Sequence, residues 1–251
     1  MCDVRGARRE VRGPEVRRAG SEVLASDGGV RAVVFDFDGV LADSEPLHLR
    51  SYQQIFQPHG VKLDAKTYCE RYLGFDDEGA FRHIADDFGL ILGDEEIELL
   101  MAEKTRRLEA LLSNENVLYP GAAACVRGLA AVWPISIASG AVRYEIELML
   151  RGTGLLDTFK FIVAAGETDR TKPAPDPYLR AAELHGVPPS ACVAIEDSRW
   201  GLDSARSAGL RTIAITHTYP REELTGEADL IVDRLEEITP ELINGLKAFK
   251  S

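Results

Sequence analysis

The sequence is poor in cysteine, and the four it has, Cys2, Cys69, Cys125 and Cys192, form no C-x-x-C pair. They build neither a zinc site nor a dithiol redox centre, and free thiols in a reducing cytoplasm are the expectation. Positive charge is in deficit: 29 Lys and Arg against 41 Asp and Glu give a formal net charge of -12. That balance excludes the basic footprint needed for nucleic acid or an anionic membrane surface. Long apolar runs are missing too, since the hydrophobic stretches are strand-sized and broken by Gly, Pro or charge, which excludes a spanning helix. No signal peptide is read. Ser139 is not framed by G-x-S-x-G, so a serine hydrolase elbow is excluded, and no Walker-type glycine loop is present for a nucleotide. The five histidines, His48, His59, His83, His185 and His217, show no metal-ligand spacing.

What is present is a chain of 251 residues, 45% hydrophobic, enough for one large domain or a core with a smaller insertion. Residues 1–29 carry six arginines interleaved with Glu10, Glu15 and Glu22 and no apolar period, and are expected to be a disordered extension rather than a targeting peptide. From Arg31 onward, short β-rich apolar runs alternate with amphipathic stretches. The runs are 32–35, 135–138, 161–164, 193–195, 212–215 and 230–232. Continuous apolar runs separated by helical segments predict a parallel sheet covered on both faces. Asp176 before Pro177 reads as an N-cap with Pro at the first helical position, and Ser198 as the cap of a helix ended near Gly209. Between Asp43 and about Tyr119 the alternation stops and only helical periodicity is visible. A helical insert after the first strand follows.

In an open parallel sheet, ligands bind beyond the carboxyl ends of the strands, so polar residues just after apolar runs are the ones to inspect. Asp36 and Asp38 follow the first run, Ser139 and Gly140 the second, Lys172 lies in the loop after the third, and Glu196 and Asp197 follow the fourth. Asp36 and Asp38 are two residues apart and project to one side if strand geometry persists, which suits a nucleophile beside an acid/base group. A solvated turn is the structural alternative for them. Close like charges at a dry sheet end are costly without a cation, and carboxylates without His or Cys favour Mg²⁺ over zinc. Ser139 and Gly140, at a strand-to-helix turn, offer a hydroxyl and N–H groups for phosphate oxygens, with a plain helix cap as the alternative. Lys172 sits in a loop stiffened by Pro173, Pro175 and Pro177, where a fixed cation would offset the carboxylates and neutralise a transferring phosphoryl group.

Together these residues resemble the four motifs of the haloacid dehalogenase superfamily, and Asp43-Ser44-Glu45-Pro46-Leu47-His48 is similar to its β-phosphoglucomutase and phosphosugar phosphatase branch, over roughly Val30 to Val232. The resemblance implies an α/β, Rossmann-like core (30–43 and 119–251) with a small all-helical cap (44–118). It implies Asp36 as nucleophile, Asp38 as acid/base and Lys172, Ser139 and Gly140 as phosphoryl holders. The implied Mg²⁺ ligands are Asp36, the Asp38 carbonyl, Asp197 and Glu196, the last directly or through water. The expected activity is a cytoplasmic Mg²⁺-dependent phosphatase, monomeric or a small homo-oligomer, acting on a small phosphorylated metabolite such as a sugar phosphate. A phosphohexomutase of the β-phosphoglucomutase type is the alternative. Halide displacement needs no acid, so Asp38 disfavours a dehalogenase, and the intact motif residues disfavour a non-catalytic phosphate-binding module. In the cap, His48 matches a hinge histidine of the mutases. Asp77 falls where they carry an arginine for a second phosphate, so it is expected to repel that phosphate. Arg71 and Arg82 are the alternative cations.

Overall fold

The computed structural model describes residues 29–73, 75 and 77–246. The expected extension, apart from Gly29, lies outside the described residues, as do Gly74, Asp76 and Cys2. Six strands, β1 (Ala32–Phe35), β2 (Ile135–Ala138), β3 (Ile162–Val163), β4 (Cys192–Glu196), β5 (Arg211–Ile215) and β6 (Leu230–Val232), form one parallel sheet in the order β3-β2-β1-β4-β5-β6. β1, β2, β4 and β5 are buried along their whole length, which is why they read as mainly apolar runs rather than alternating ones, with Ser136, Arg211 and Thr212 the buried polar exceptions short of the carboxyl ends. On one face Val33, Phe35, Ile137 and Ile195 pack with Val126, Leu129, Ile146 and Leu150, while on the other Ala32, Val34 and Ala194 pack with Tyr178, Ala182 and Ala205. The third run is shorter than its apolar stretch. β3 is an edge strand paired only with β2, and single bonds from Ile137 N to Phe161 O (3.2 Å), just before β3, and from Ser139 N, just after β2, to Val163 O (2.9 Å) carry the contact to either side.

The core helices are α5 (Ala122–Ala130), α6 (Arg143–Arg151), α7 (Asp176–His185), α8 (Arg199–Ser207), α9 (Arg221–Leu224) and α10 (Pro240–Gly245), following four helices of the insert in chain order. Ser198 caps α8, its Oγ accepting from Gly201 N at 3.1 Å. Asp176 does not cap α7. It is the first helical residue, after Pro175 at the cap position, and its carboxylate is held by the Arg170 guanidinium at 2.8 and 3.1 Å. A bidentate charged pair competes successfully with a single bond to a backbone N–H.

Between β1 and α5 the chain forms α1 (Glu45–Phe56), α2 (Ala65–Arg71), α3 (Asp77–Asp87) and α4 (Asp94–Asn114). Asp64 caps α2 through Thr67 N at 2.8 Å, and acidic first turns in α3 and α4 suit the helix dipole. These helices enclose a hydrophobic cluster of their own. Tyr52, Phe56 and Phe81 stack at 5.1 to 5.4 Å in its centre, with Val61, Tyr72, Ile84 and Ile97 around them. The segment leaves and rejoins the core through two adjacent backbone stretches, bonded from Asp43 N to Val117 O (2.8 Å) and from Tyr119 N to Leu41 O (3.0 Å). Leu108 and Leu112 of α4 reach back into the main core. Among the described residues no helix is long and apolar enough to cross a membrane, and Cys69, Cys125 and Cys192 are free thiols, the last two buried.

Candidate active site

The chain order runs outward from β1 to β3 and then restarts at β4 on the other side, so β1 and β4 flank the point where the winding reverses. In such sheets the crevice beyond these carboxyl ends is where ligands bind. Register then fixes who meets whom. Phe35 pairs with Ile195 on one side and with Ile137 on the other. Continuing by one and two residues sets Asp36 level with Glu196, and Phe37 level with Asp197 and Ser139. Phe37 turns into the core, fully buried, and leaves Asp36 and Asp38 directed the other way.

The resulting cluster is dense. Lys172 Nζ, on the loop before α7, lies 2.7 Å from Asp36 Oδ1 and 2.7 Å from Glu196 Oε1, and 5.1 Å above the ring of Tyr178. Glu196 is wholly buried. Its Oε1 also accepts from Tyr178 OH at 2.6 Å, and its Oε2 accepts from Asp197 N at 3.2 Å and Ser198 Oγ at 3.3 Å. Asp36, Glu196 and Asp197 each place a carboxylate oxygen within 4.8 Å of the others. Burial pushes the Asp36 carboxyl well above the ordinary range against the pull of Lys172, and burial with the Glu196 charge pushes Asp197 up to about 7. Burial opposes the charge on Lys172, but Asp36 and Glu196 more than offset it and keep the ammonium protonated. One ammonium thus serves three buried carboxyl groups. A hard, oxygen-liking cation fits this donor set, which contains neither nitrogen nor sulfur.

Two glycines make the crowding possible. Gly39 adopts φ +76°, and a Cβ there would lie 2.0 Å from Asp197 Oδ2 and 2.7 Å from Thr218 Oγ1. Gly201, in the first turn of α8, has an ordinary φ, yet a Cβ would lie 1.9 Å from Glu196 Oε1. Gly140 is different, because nothing crowds its α-carbon. Ser139 is buried at the end of β2, and its Oγ accepts from Ala141 N at 3.1 Å within the turn, but it is not the plain helix cap that was its alternative, because Val142 holds the cap position of α6.

Asp38 stands apart from the cation cluster. Its Oδ1 accepts from Ser44 Oγ at 2.5 Å, and burial raises its carboxyl above the ordinary range despite that bond. No carboxylate oxygen of Asp38 belongs to the group of three, so any part it has in holding a cation falls to its backbone carbonyl.

The cap residues are joined by a side chain that sequence reasoning missed. Lys104, in the middle of α4, is 1% exposed and lies 2.7 and 2.9 Å from the two oxygens of Asp77 and 3.2 Å from His48 Nδ1. Tyr52 OH donates to the same Asp77 at 2.6 Å. Since an ammonium only donates, His48 Nδ1 accepts and the ring proton sits on Nε2. Burial and Lys104 lower His48 to about 4, so the ring is neutral. Asp77 is therefore not the free repelling charge expected from sequence, because Lys104 neutralises it. Arg71 and Arg82, the alternative cations, are paired on the surface with Asp87 and with Glu78 and Asp94. Lys104 carried one legible signal: it falls in phase with Ile97, Met101 and Leu108 on the stripe that packs inward. Ser44 was legible only as part of the Asp43–His48 motif, and Tyr178 and Gly201 gave no signal. A groove of about 740 Å³ behind the hinge, lined by residues such as Leu112, Asn116, Arg127 and Met149, contains none of the site residues.

A family model for haloacid dehalogenase-like hydrolases matches residues 30–209. Protein CbbY of Rhodobacter capsulatus is 34% identical over 210 residues, covering 80% of this chain and 91% of its own. The N-acetylmuramic acid 6-phosphate phosphatase of Pseudomonas aeruginosa is 30% identical over 216 residues, covering 83% of this chain and 93% of its own. Among solved structures, a mutant of CbbY from Rhodobacter sphaeroides in complex with xylulose-(1,5)bisphosphate superposes with a TM-score of 0.70 at 29% identity, over 83% of this chain and 96% of that one.

Proposed function

The chain belongs to the haloacid dehalogenase-like hydrolases, and from that premise we propose that it hydrolyses phosphate monoesters of small metabolites with Asp36 as nucleophile. The observation that carries this is the Asp36 carboxylate, at the winding reversal of the sheet, tethered by Lys172 at 2.7 Å within a cluster short of positive charge. A carboxylate oxygen of Asp36 attacks phosphorus as the bond to the leaving oxygen breaks, giving an aspartyl phosphate. Asp38 supplies the proton. With Oδ1 accepting from Ser44, that proton sits on Oδ2, and a carboxyl raised by burial is suited to give it up to an alkoxide. Asp38, now ionised, takes a proton from the water that attacks phosphorus in the second step. Phosphate leaves and Asp36 is restored.

Mg²⁺ fits the three buried carboxyl groups of Asp36, Asp197 and Glu196; Glu196 accepts from Lys172 and Tyr178 on Oε1 and from Asp197 N and Ser198 Oγ on Oε2, and would reach the ion directly or through water. When bound, the ion would supply charge neutralisation for the phosphoryl oxygens and overcome the mutual repulsion of the carboxylates. Lys172 adds a fixed positive charge, and Ser139 Oγ with the Gly140 N–H, at the end of β2, would hold the remaining phosphoryl oxygens. Phosphate release from p-nitrophenyl phosphate tests the reading. Release is expected with MgCl₂, suppression with EDTA, and none above background for Asp36→Asn. Equal rates for wild type and Asp36→Asn would refute the mechanism.

A further inference from the structure

In a chain where acids outnumber bases, arginines find carboxylates easily. Among the described residues, every arginine except Arg31, Arg127, Arg151 and Arg211 pairs with one. Two of those exceptions, Arg127 of α5 and Arg151 at the end of α6, line the same groove, the one of about 740 Å³ behind the hinge. Arg127 makes a single hydrogen bond, from Nη2 to Thr153 O at 3.4 Å, which draws it to the turn that Arg151 opens. Arg151 is exposed and makes neither a hydrogen bond nor an ion pair among the described residues. The acid on the groove wall, Glu115, is taken by another partner, because Arg50 Nη1 holds both its oxygens at 2.7 and 2.8 Å. Ser113 and Asn114 direct their donors at carbonyls of α4, their own helix. The two guanidinium groups are thus the free donors of the groove, and beside them Leu112, Leu118, Leu148 and Met149 form an apolar wall.

A guanidinium presents planar, paired N–H groups that match the oxygens of a phosphate, sulfonate or carboxylate. Beside an apolar wall such a pair is stronger than in open water, because the effective dielectric is lower. We infer that the groove is a second ligand site, separate from the Asp36 cluster, for a small amphipathic organic anion whose oxyanion head lies on Arg127 and Arg151 and whose apolar body lies on Leu112, Leu118, Leu148 and Met149. Its size is in the range of small-molecule sites, about 300–1,000 Å³. A cation is disfavoured there, since the one carboxylate on the wall is already neutralised by Arg50. An uncharged apolar ligand would leave the two guanidinium groups without partners. The site rests on charge pairing and shape, and it does not depend on the chemistry proposed for Asp36.

Two dyes that differ only in the anionic head test this. Anilinonaphthalene sulfonate has an aryl body and a sulfonate, N-phenylnaphthylamine has the same body without the charge, and both brighten on leaving water. Titrated into the full chain, the sulfonate is expected to bind saturably, a single dye per chain, and about tenfold or more tighter than the uncharged dye. The double variant Arg127→Met with Arg151→Met should weaken the sulfonate about tenfold or more and leave the uncharged dye unchanged, because the apolar wall is kept. Arg151→Glu, a charge reversal at an exposed helix end, should weaken the sulfonate at least as much as Arg151→Met does, and it serves if the double variant does not fold. Turnover of p-nitrophenyl phosphate by these variants should match wild type, since neither arginine belongs to the Asp36 cluster. Absence of saturable binding, equal affinity for the two dyes, or sulfonate binding unchanged in the variants would each overturn the inference and leave Arg127 and Arg151 as solvated surface charges.

Discussion

Replacing Gly201 by alanine should disable the site from a position that never touches substrate. The backbone at Gly201 has an ordinary φ and lies in the first turn of α8, so helix propensity alone would favour alanine by about 1 kcal/mol. Its new Cβ, however, would lie 1.9 to 2.1 Å from the Glu196 carboxylate. That carboxylate must move by more than an ångström, and it is fully buried and held by Lys172, Tyr178, Asp197 N and Ser198 Oγ. Overpacking costs about 1–3 kcal/mol, and losing one charge-assisted hydrogen bond costs roughly another 1.5–3 kcal/mol. The expected net destabilisation is about 2–5 kcal/mol after the propensity gain. Displacing Glu196 also releases Lys172 from one of its two anchors, so kcat should fall at least about tenfold. Urea unfolding and phosphate release from p-nitrophenyl phosphate measure the two effects. Gly128→Ala, on the exposed side of α5 with open space around its α-carbon, is the control and should be neutral or slightly stabilising. The reasoning fails if Gly201→Ala matches wild type in both assays, or if Gly128→Ala loses as much.

Lys172→Met leaves Asp36 and Glu196 buried without their shared ammonium, which should cost about 3–5 kcal/mol of stability at neutral pH, a loss partly recovered by added Mg²⁺ in a denaturation series. Ser44→Ala removes the donor that fixes Asp38 and should lower kcat about tenfold with little change in KM, read from steady-state kinetics. His185, packed on Phe161 with Nε2 2.9 Å from Ser136 Oγ, is lowered by burial to about 4. The folded protein therefore holds the neutral ring while the unfolded chain takes a proton first. Its contribution is complete above the ordinary value near 6.5 and is lost as pH falls towards 4. Because the ring is only half-buried, the loss is discounted to about 1–2 kcal/mol, and His185→Gln should flatten the stability profile across that interval.

The sequence by itself determined the sheet and the polar strand ends that gather beside it. Strands buried on both faces are mainly apolar, so β1, β2, β4 and β5 announce themselves as apolar runs, and the polar residues that follow such runs gather at one edge of a parallel sheet. Asp36, Asp38, Lys172, Glu196 and Asp197 were legible for that reason, as was the helical insert, where the periodicity changes. The details decided by competition between partners were not. Asp176 matches a cap in sequence, but Arg170, six residues earlier, takes its carboxylate. Gly201 looks like any helix-start glycine until Glu196 is packed against it. Lys104 is one lysine in a charged helix, and only the folding of α1, α3 and α4 around a common core brings His48 and Asp77 to its ammonium. Local sequence encodes backbone periodicity and turn chemistry, because these depend on near neighbours. Which charge ends beside which depends on contacts between residues far apart in the chain, and only the tertiary structure decides it.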